Sequence, residues 1–209
     1  MLRYLYADSL SRHQILAQTM FLDRADQFKT RLNWEVFVND AGEERDEYDA
    51  ENPLYVIWEG EDGKHQGSIR YLPTTGPTMI NDHFTDLLGG GTIDSPLIWE
   101  CTRFCLARNA ESRVAAALML SVVEIIRQFG IKHFAGVFDA RMVRIYRRIG
   151  WEPEIIGSTG SGRGKMSIGL WQYNEEECAK VAKRAGISLD QSERWFCDSF
   201  EMLPKVNVV

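Results

Sequence analysis

A helix, a strand and a second helix in close succession constrain the fold of this chain more than any other feature. Five apolar residues recur at helical spacing after Asn109, a residue type that favours the position before a helix, and Gly130 predicts the helix end. These apolar residues are Val114, Leu118, Val122, Ile125 and Phe129. A strand is predicted over 132–138, and a further helix over 141–149. This alternation is typical of α/β proteins in which helices cover both faces of a mixed central sheet, a three-layer sandwich.

The rest of the chain adds strands and short helices. Acidic and glycine residues over 59–63 are typical of a hairpin turn, and Gly89 ends a predicted helix. The elements predicted before residue 107 are a helix over 9–26, strands over 54–58, 67–72 and 97–106, and a short helix over 79–88. The last forty residues predict a peripheral strand or helices. A single domain over 1–209 accommodates all of these elements.

The composition narrows the class of protein. The formal net charge of −6 is unlike that of a general nucleic-acid-binding protein, so no nucleic-acid partner is expected. No apolar run reaches the roughly 18–20 residues of a membrane helix, and residues 1–8 lack the apolar region of a secretory signal. Four cysteines do not make a disulfide framework in a chain of 209 residues. We therefore expect a cytoplasmic protein that does not associate with membranes.

Several common catalytic motifs do not occur in the sequence. The glycine-rich run 157–165 lacks the spacing of a phosphate-binding loop, and Met166 replaces the hydroxyl residue that would hold magnesium, so a flexible hairpin connection is the better interpretation. The four histidines are scattered without the spacing of a metal site, so no metal site is expected. Cys101 and Cys105 are better explained as buried apolar groups than as one half of a Cys–His nucleophile. A Gly-x-Ser-x-Gly motif is also missing from the sequence.

A cationic face is predicted on the helix over 141–149. Arg141, Arg144 and Arg148 recur at spacings of three and four residues, which places them on one side of a helix. They form either an exposed, solubilising face or a docking patch for an acidic partner. The sequence favours neither alternative.

Charged and aromatic residues of a more specific kind are spread over the first half of the chain. Taken singly, each has an ordinary explanation as a core anchor, as part of a solvated acidic loop, or as a member of a structural ion pair. The set consists of Arg24, Phe28, Trp34, Asp46, Asp49, Arg70, Glu100 and Arg103. Its order along the chain is what carries information.

Read together, these residues resemble the acyl-homoserine lactone synthases, the LuxI-type autoinducer synthases of bacterial quorum sensing. The matching segments run in family order over about two-thirds of the chain. They are 21–28 with Trp34, 46–49, 67–70, Phe84, 99–104 and 148–151. The resemblance implies a fold similar to the N-acetyltransferases, with splayed strands that open a cleft. It also implies an S-adenosylmethionine side over about 1–110 and an acyl-chain and carrier side over about 111–209. The glycine-rich pyrophosphate loop of the acetyltransferases is replaced by 109–113.

The resemblance further implies an enzyme with two substrates, S-adenosylmethionine and a fatty acyl thioester, and no cofactor. The methionine amine attacks the thioester carbonyl. The methionine carboxylate then attacks its own γ-carbon and expels methylthioadenosine, which leaves an N-acyl-homoserine lactone. Acyl carrier protein is the expected acyl donor, since its acidic surface suits the three arginines over 141–148, and acyl-CoA is the alternative.

For this reaction we expect Glu100 to take the amine proton, directly or through water, because an ammonium group cannot attack a carbonyl. Asp46 and Asp49 are expected to hold the ammonium group and to order their loop. Arg70 is expected to tie these acidic residues into a preformed network, with Arg103 beside Glu100.

The remaining substrate contacts are assigned by charge type. Trp34 and Phe28 present aromatic faces that can receive the sulfonium cation, and Phe104 is expected to line the same region. Arg24 or Arg103 is expected to make a forked contact with the substrate carboxylate.

Glu100 and Arg103 raise a geometric difficulty. In a regular strand these two side chains point to opposite faces of the sheet. If both line one site, a β-bulge or a strand end must separate them. We therefore predict an irregularity near residues 101–102.

An apolar tunnel for the acyl chain is expected between the sheet and the helix that begins near Val114. The residues expected to line it are Phe84, Phe104, Leu118, Met119, Gly136, Phe138 and Met142. An ordinary core position is an equally good explanation for each apolar side chain. Gly136 and Val137 stand where relatives that prefer a 3-oxo chain carry a hydroxyl group, which favours an unsubstituted chain.

Two rival functions use the same fold. One is an N-acyltransferase that transfers an acyl group from acyl-CoA to another amine, and the other is a non-catalytic sensor. Neither rival requires Arg24, Phe28 and Trp34 together with the paired aspartates.

Overall fold

The computed structural model describes residues 1–202 and contains a seven-stranded sheet in the order β1-β2-β3-β4-β5-β7-β6. The strands are β1 (Leu2–Tyr6), β2 (Leu54–Glu59), β3 (His65–Pro73), β4 (Ile98–Leu106), β5 (His133–Asp139), β6 (Glu154–Thr159) and β7 (Met166–Gln172). The helices are α1 (Gln14–Arg24), α2 (Met79–His83), α3 (Val114–Phe129), α4 (Ala140–Ile149), α5 (Glu175–Ala185) and α6 (Leu189–Ser199). Only β4 and β5 pair in parallel, so the sheet is mixed, as predicted.

Helices cover both faces of this sheet. On one face, α3 packs in the main core together with α5 and α6, and twelve of its sixteen residues are buried. On the other face, α1 packs through Leu16, Met20 and Phe21 against the residues Tyr55 and Ile57 of β2. The three-layer α/β arrangement is confirmed, and it explains why the α3 segment is apolar on nearly all sides.

Local structure departs from the sequence prediction at several boundaries. The predicted helix over 9–26 divides into a 3-10 turn over 7–12, α1, and a wider-turned π segment over 25–31. The predicted helix over 79–88 likewise divides into α2 and a 3-10 turn. Asn109 is not a helix cap, because α3 begins only at Val114 and has no side-chain cap.

The sheet opens between β4 and β5. Their parallel pairing runs only from Ile98 opposite His133 to Glu100 opposite Ala135. Just beyond this point β4 carries a bulge, since three steps along β4 match two steps along β3, and Arg103 has a φ of 53°. The predicted irregularity is therefore confirmed, at Arg103 rather than at 101–102. A positive φ is strained for a residue with a side chain, and the bulge turns β4 at the mouth of a cleft.

Candidate active-site cleft

A cavity of about 770 Å³ fills the space between the separated strands. Its walls come from β4, β5, α3, α4 and the segments that contain Phe28 and Met79. Its lining includes Asp46 and Arg103 of a charged network beside Phe28 and Trp34, here called the charged end, and the apolar residues Met119, Phe138 and Met142, here called the apolar end. Glu100 lies near Arg70 and Arg103, and the next residue along β4, Cys101, lies close to Gly136 of β5.

Three arginines and three carboxylates form one network at the charged end. Arg24 donates to Glu44 at 2.5 Å and to both oxygens of Asp49 at 2.9 and 3.0 Å. Arg103 lies 3.0 Å from Glu44 and 2.7 Å from Asp46, so it joins both halves of the network. The formal charges cancel, which is what a set of ions removed from water requires.

Arg70 connects the two aspartates to the sheet. Its guanidinium group donates to Asp46 and, at 2.7 Å, to Asp49, while its Nε donates to the hydroxyl of Thr102 at 3.0 Å. The prediction that Arg70 ties the acidic residues into a preformed network is met by this geometry. Thr102 faces Arg70 across the β3–β4 pair, immediately before the bulge.

The spacing of three between Asp46 and Asp49 has a local cause. Asp46 caps the 3-10 turn Glu47–Ala50 by accepting from the backbone N–H of Tyr48, and Asp49 accepts from the backbone N–H of Asp46 at 2.9 Å. This capping box turns both carboxylates toward Arg70. Both aspartates are thus engaged by arginines and backbone, and Asp46 also lines the cleft, so the expected contact with an ammonium group stays a prediction.

Because the network is buried, its charged groups depend on one another to stay ionised. Arg24, Arg70 and Glu44 are fully buried. Burial raises the pKa of Asp49, but Arg24 and Arg70 lower it more, so this pKa lies well below its usual range. Burial lowers the pKa of Arg24, and Asp49 and Glu44 raise it more. Asp49 and Arg24 therefore stay charged throughout the physiological pH range.

Arg24 does not occupy the position expected of a substrate ligand. It is fully buried behind Glu44 and Asp49, and residues that line the cleft include Arg103 but not Arg24 within the described chain. Of the two arginines proposed for the carboxylate, the geometry favours Arg103. Glu44, which the sequence analysis missed, is the buried anion that holds both arginines.

An aromatic wall stands beside Arg103. The rings of Phe28 and Trp34 are stacked with centroids 5.2 Å apart and an interplanar angle of 7°. The guanidinium carbon of Arg103 lies 5.5 Å from the Phe28 centroid. A backbone hydrogen bond of 2.8 Å from Trp34 N–H to the carbonyl of Phe28 folds this segment back on itself. The predicted grouping of Phe28, Trp34 and Arg103 in one region is therefore seen.

Glu100 is fully buried and accepts two backbone hydrogen bonds from the first turn of α2. Its oxygens accept from Met79 N–H at 3.0 Å and from Ile80 N–H at 2.7 Å. Burial raises its pKa to about 7, although these two bonds and the nearby Arg70 and Arg103 act in the opposite direction. A carboxyl group with this pKa exchanges protons readily near neutral pH.

Most residues expected around an acyl chain line the cavity, and their contact with that chain stays a prediction. Those confirmed as lining residues are Phe84, Phe104, Met119, Gly136, Phe138 and Met142. Leu118 is not among the lining residues of the described chain, because it faces the main core, where it is fully buried. One position on a helix corresponds to about 100° of rotation, so Met119 enters the cavity and Leu118 does not. Further aromatic lining comes from Tyr71, Phe134, Tyr146 and Trp171.

Gly136 is required by close packing at the end of this cavity. A Cβ atom at Gly136 would lie 2.9 Å from the sulfur of Cys101 and 3.3 Å from the ring of Trp171. Burial raises the pKa of Cys101 to about 12, so its thiol stays protonated and is a poor nucleophile. Cys101 therefore acts here as a small apolar wall.

The cationic face on α4 is present as predicted. Arg141, Arg144 and Arg148 are exposed, and Arg141 also reaches the cleft while it pairs with Asp139. Both interpretations of this face remain compatible with its exposure. Among residues 1–202, no three His, Cys, Asp or Glu side chains are grouped to hold a metal ion, and none of the described helices is long and apolar enough to cross a membrane.

Comparison with known proteins gives a consistent result. A family model described as autoinducer synthase matches residues 8–181. An acyl-homoserine-lactone synthase of Rhizobium etli is 39% identical over 199 residues, which cover 92% of this chain and 93% of the relative. The solved structure of MesI, a CoA-dependent acyl-homoserine lactone synthase, is 24% identical with a TM-score of 0.78 and covers 90% of this chain and 96% of its own.

The fold also extends beyond these synthases. The structure of a protein from Lactobacillus plantarum assigned as an N-acetyltransferase is 14% identical with a TM-score of 0.52, and the match covers 82% of this chain and 97% of that one. This likeness concerns the fold alone. It confirms the expected relation to the N-acetyltransferase fold.

Proposed function

This chain belongs to the autoinducer synthase family, and from that membership we propose how its cleft performs the reaction of an acyl-homoserine-lactone synthase. The enzyme acylates the amine of S-adenosylmethionine with an acyl thioester and lactonises the product, which releases methylthioadenosine and yields a quorum-sensing signal. The observation that carries the proposal is the place of Glu100, a buried carboxyl group with a pKa of about 7 between a charged and an apolar compartment.

S-adenosylmethionine is proposed to bind at the charged end, so that most of its contacts come from residues 1–110. The stacked pair of Phe28 and Trp34 offers an aromatic face for the sulfonium cation, and Trp34 is 38% exposed. Arg103 is proposed to bind the substrate carboxylate, because its guanidinium group lines the cleft. Arg24, Arg70 and Asp49 then act as positioning residues that fix Arg103 before substrate arrives. Asp46 pairs with Arg103 and also lines the cleft, and it is proposed to hold the ammonium group.

Glu100 is proposed to act as the general base, directly or through one water molecule. Each carboxylate oxygen can accept a further hydrogen bond beyond the one from the α2 backbone. The ammonium group gives one proton to Glu100, and the resulting amine attacks the thioester carbonyl. The C–N bond forms, the C–S bond of the thioester breaks, and the leaving thiolate takes the second proton from the nitrogen. The carboxylate then attacks the γ-carbon as the C–S bond to methylthioadenosine breaks. Positioning of these two ends can contribute several kcal/mol to catalysis.

The acyl chain is proposed to occupy the apolar end, with most of its contacts from residues 111–209. Gly136 and Val137 present no hydroxyl group to the chain. We propose an unsubstituted acyl chain for this reason. The reaction as written needs no cofactor or metal.

Acyl carrier protein is the proposed donor, with acyl-CoA as the alternative. The exposed residues Arg141, Arg144 and Arg148 lie on α4, and Arg141 lines the cleft. A row of arginines favours encounter with an acidic partner. The CoA dependence of MesI is a property of that protein, and its 24% identity bears on the fold only.

Mass spectrometry tests the proposal directly. Purified protein would be incubated with S-adenosylmethionine and a panel of acyl-carrier-protein and acyl-CoA thioesters. An N-acyl-homoserine lactone with equimolar methylthioadenosine is expected, and the productive thioester identifies the donor. An acylated amine without methylthioadenosine would instead indicate an acyltransferase that acts on another substrate, and no product from any thioester would favour a sensor.

A further inference from the structure

Gln27 makes two hydrogen bonds that the chemical steps do not require. Its side-chain amide donates to the carbonyl oxygen of Phe104 at 2.9 Å and accepts from the backbone N–H of Leu106 at 3.0 Å. These backbone groups belong to residues two apart on β4, and one residue of a parallel neighbouring strand would bind the same two groups. The Gln27 amide therefore takes the place of a strand.

β4 needs such a partner because the neighbouring strand β5 separates from it. Its parallel pairing with β5 ends at Glu100, whereas on the other side β3 stays paired as far as Leu106. Backbone groups shielded from water are destabilising unless they are hydrogen-bonded. Gln27 satisfies the open side of β4 at the point where the cleft begins, and its own side chain lines the cleft.

The same side chain joins two parts of the substrate site. Gln27 belongs to the π segment over 25–31, which also carries Phe28, and it binds the residue that follows Arg103. The Arg103 guanidinium lies 5.5 Å from the Phe28 ring. We propose that Gln27 is a positioning residue that sets this separation and thereby the affinity for S-adenosylmethionine. The inference rests on the proposed function, because it takes the charged end to be the S-adenosylmethionine end.

Three variants test the proposal. Gln27→Met keeps the length of the side chain and removes both hydrogen bonds. Gln27→Glu keeps the acceptor and regains a donor only when its carboxyl group is protonated. Gln18→Met is the matched control, since Gln18 is exposed on α1. For each protein, the dissociation constant for S-adenosylmethionine would be measured by calorimetry, and KM for both substrates by turnover, at temperatures where all are folded.

We expect Gln27→Met to bind S-adenosylmethionine about 5- to 10-fold more weakly, which matches the loss of one or two ordinary hydrogen bonds. KM for the acyl thioester should change less than twofold, and Gln18→Met should match the wild type. Gln27→Glu should bind at least as weakly as Gln27→Met, because an ionised carboxylate keeps the acceptor for Leu106 N–H but places a second acceptor against the carbonyl oxygen of Phe104.

Three results would overturn the inference. The first is unchanged binding in Gln27→Met, the second is an equal rise in both KM values, and the third is a Gln27→Glu variant that binds S-adenosylmethionine as tightly as the wild type. If the wild type makes lactone and Gln27→Met binds S-adenosylmethionine normally, the inference about Gln27 is overturned and the proposed function stands. A wild-type protein that does not bind S-adenosylmethionine would overturn the proposed function as well.

Discussion

The two ends of the cleft are built in opposite ways. At the charged end, six ionic side chains hold one another through hydrogen bonds, and Arg24, Arg70 and Glu44 have no exposed surface. At the apolar end, shape alone defines the space, as where Gly136 leaves room beside Cys101. The first arrangement tolerates no missing member, whereas the second can be altered by one side chain at a time. Substitutions should therefore abolish function at one end and change selectivity at the other.

Glu100→Gln, at the boundary between the ends, should have the largest effect. Loss of the base should lower the rate of lactone formation about 10²- to 10⁴-fold. Single-turnover mass spectrometry would measure it, with S-adenosylmethionine binding expected to stay near the wild-type value. A loss of less than tenfold would assign the proton transfer to another group.

Arg24→Met tests the charged end. It leaves Glu44 and Asp49 buried without their cation, which should lower the free energy of unfolding by about 3–5 kcal/mol. Urea denaturation would measure this, and the exposed Arg12→Met serves as a control with little expected change. If the free energy of unfolding fell by the same amount in both variants, the charged network would not be the stabilising unit described.

Acid should remove the stabilisation that the charged network gives to the folded protein. The pKa of Asp49 is lowered in the folded protein, so its contribution is complete above the unfolded pKa of about 4 and is lost as the pH falls below that value. Denaturation curves between about pH 6 and about pH 3 should show this loss in the wild type and a smaller one in Arg24→Met. Parallel curves for the two proteins would contradict it.

Gly136→Ala tests the apolar end. The added methyl group crowds Cys101 and Trp171, and it should reduce kcat/KM for the longest accepted chain about tenfold while KM for S-adenosylmethionine stays constant. Addition of Cys101→Ala should restore part of the loss, because the sulfur 2.9 Å away is removed. Equal losses for short and long chains would show that this position does not limit length.

Arg144→Glu should have the smallest effect. Charge reversal on α4 should raise KM for an acyl-carrier-protein donor several-fold at low salt and change KM for acyl-CoA less. Arg184→Glu, an exposed arginine on α5, is the matched control. Identical behaviour of the two variants would leave the α4 face a solubilising surface.

The two ends also differ in how far the sequence predicts them. Periodicity and the order of elements were enough for α3, β5 and α4. The family resemblance indicated that Arg24, Arg70, Arg103 and the two aspartates belong to one site, but not that Arg24 lies behind the cleft. Glu44 was missed because it lies in an acidic run, a pattern that is typical of a solvated loop. Its contacts with Arg24 and Arg103, which are distant in sequence, are what place it in the interior. A run of charges does not indicate which member is buried.

The apolar end was harder because core and cavity use the same residue types. Leu118 and Met119 are adjacent and both buried, yet only Met119 faces the cavity. The edge strands β1 and β6 were also missed, and β6 has mostly exposed residues that give no alternating pattern. Gln27 carried no local signal, since its partners lie nearly eighty residues away.

The measurement that tests the central claim most directly is the titration of Glu100 by infrared spectroscopy, as the difference between wild type and Glu100→Gln. The account predicts a protonated-carboxyl band that disappears with a midpoint near pH 7, because burial between the two ends raises this pKa. The acid limb of turnover should follow the same midpoint. A midpoint near pH 4, the value of an ordinary glutamate, would contradict the role of Glu100 as a base whose pKa is raised by burial.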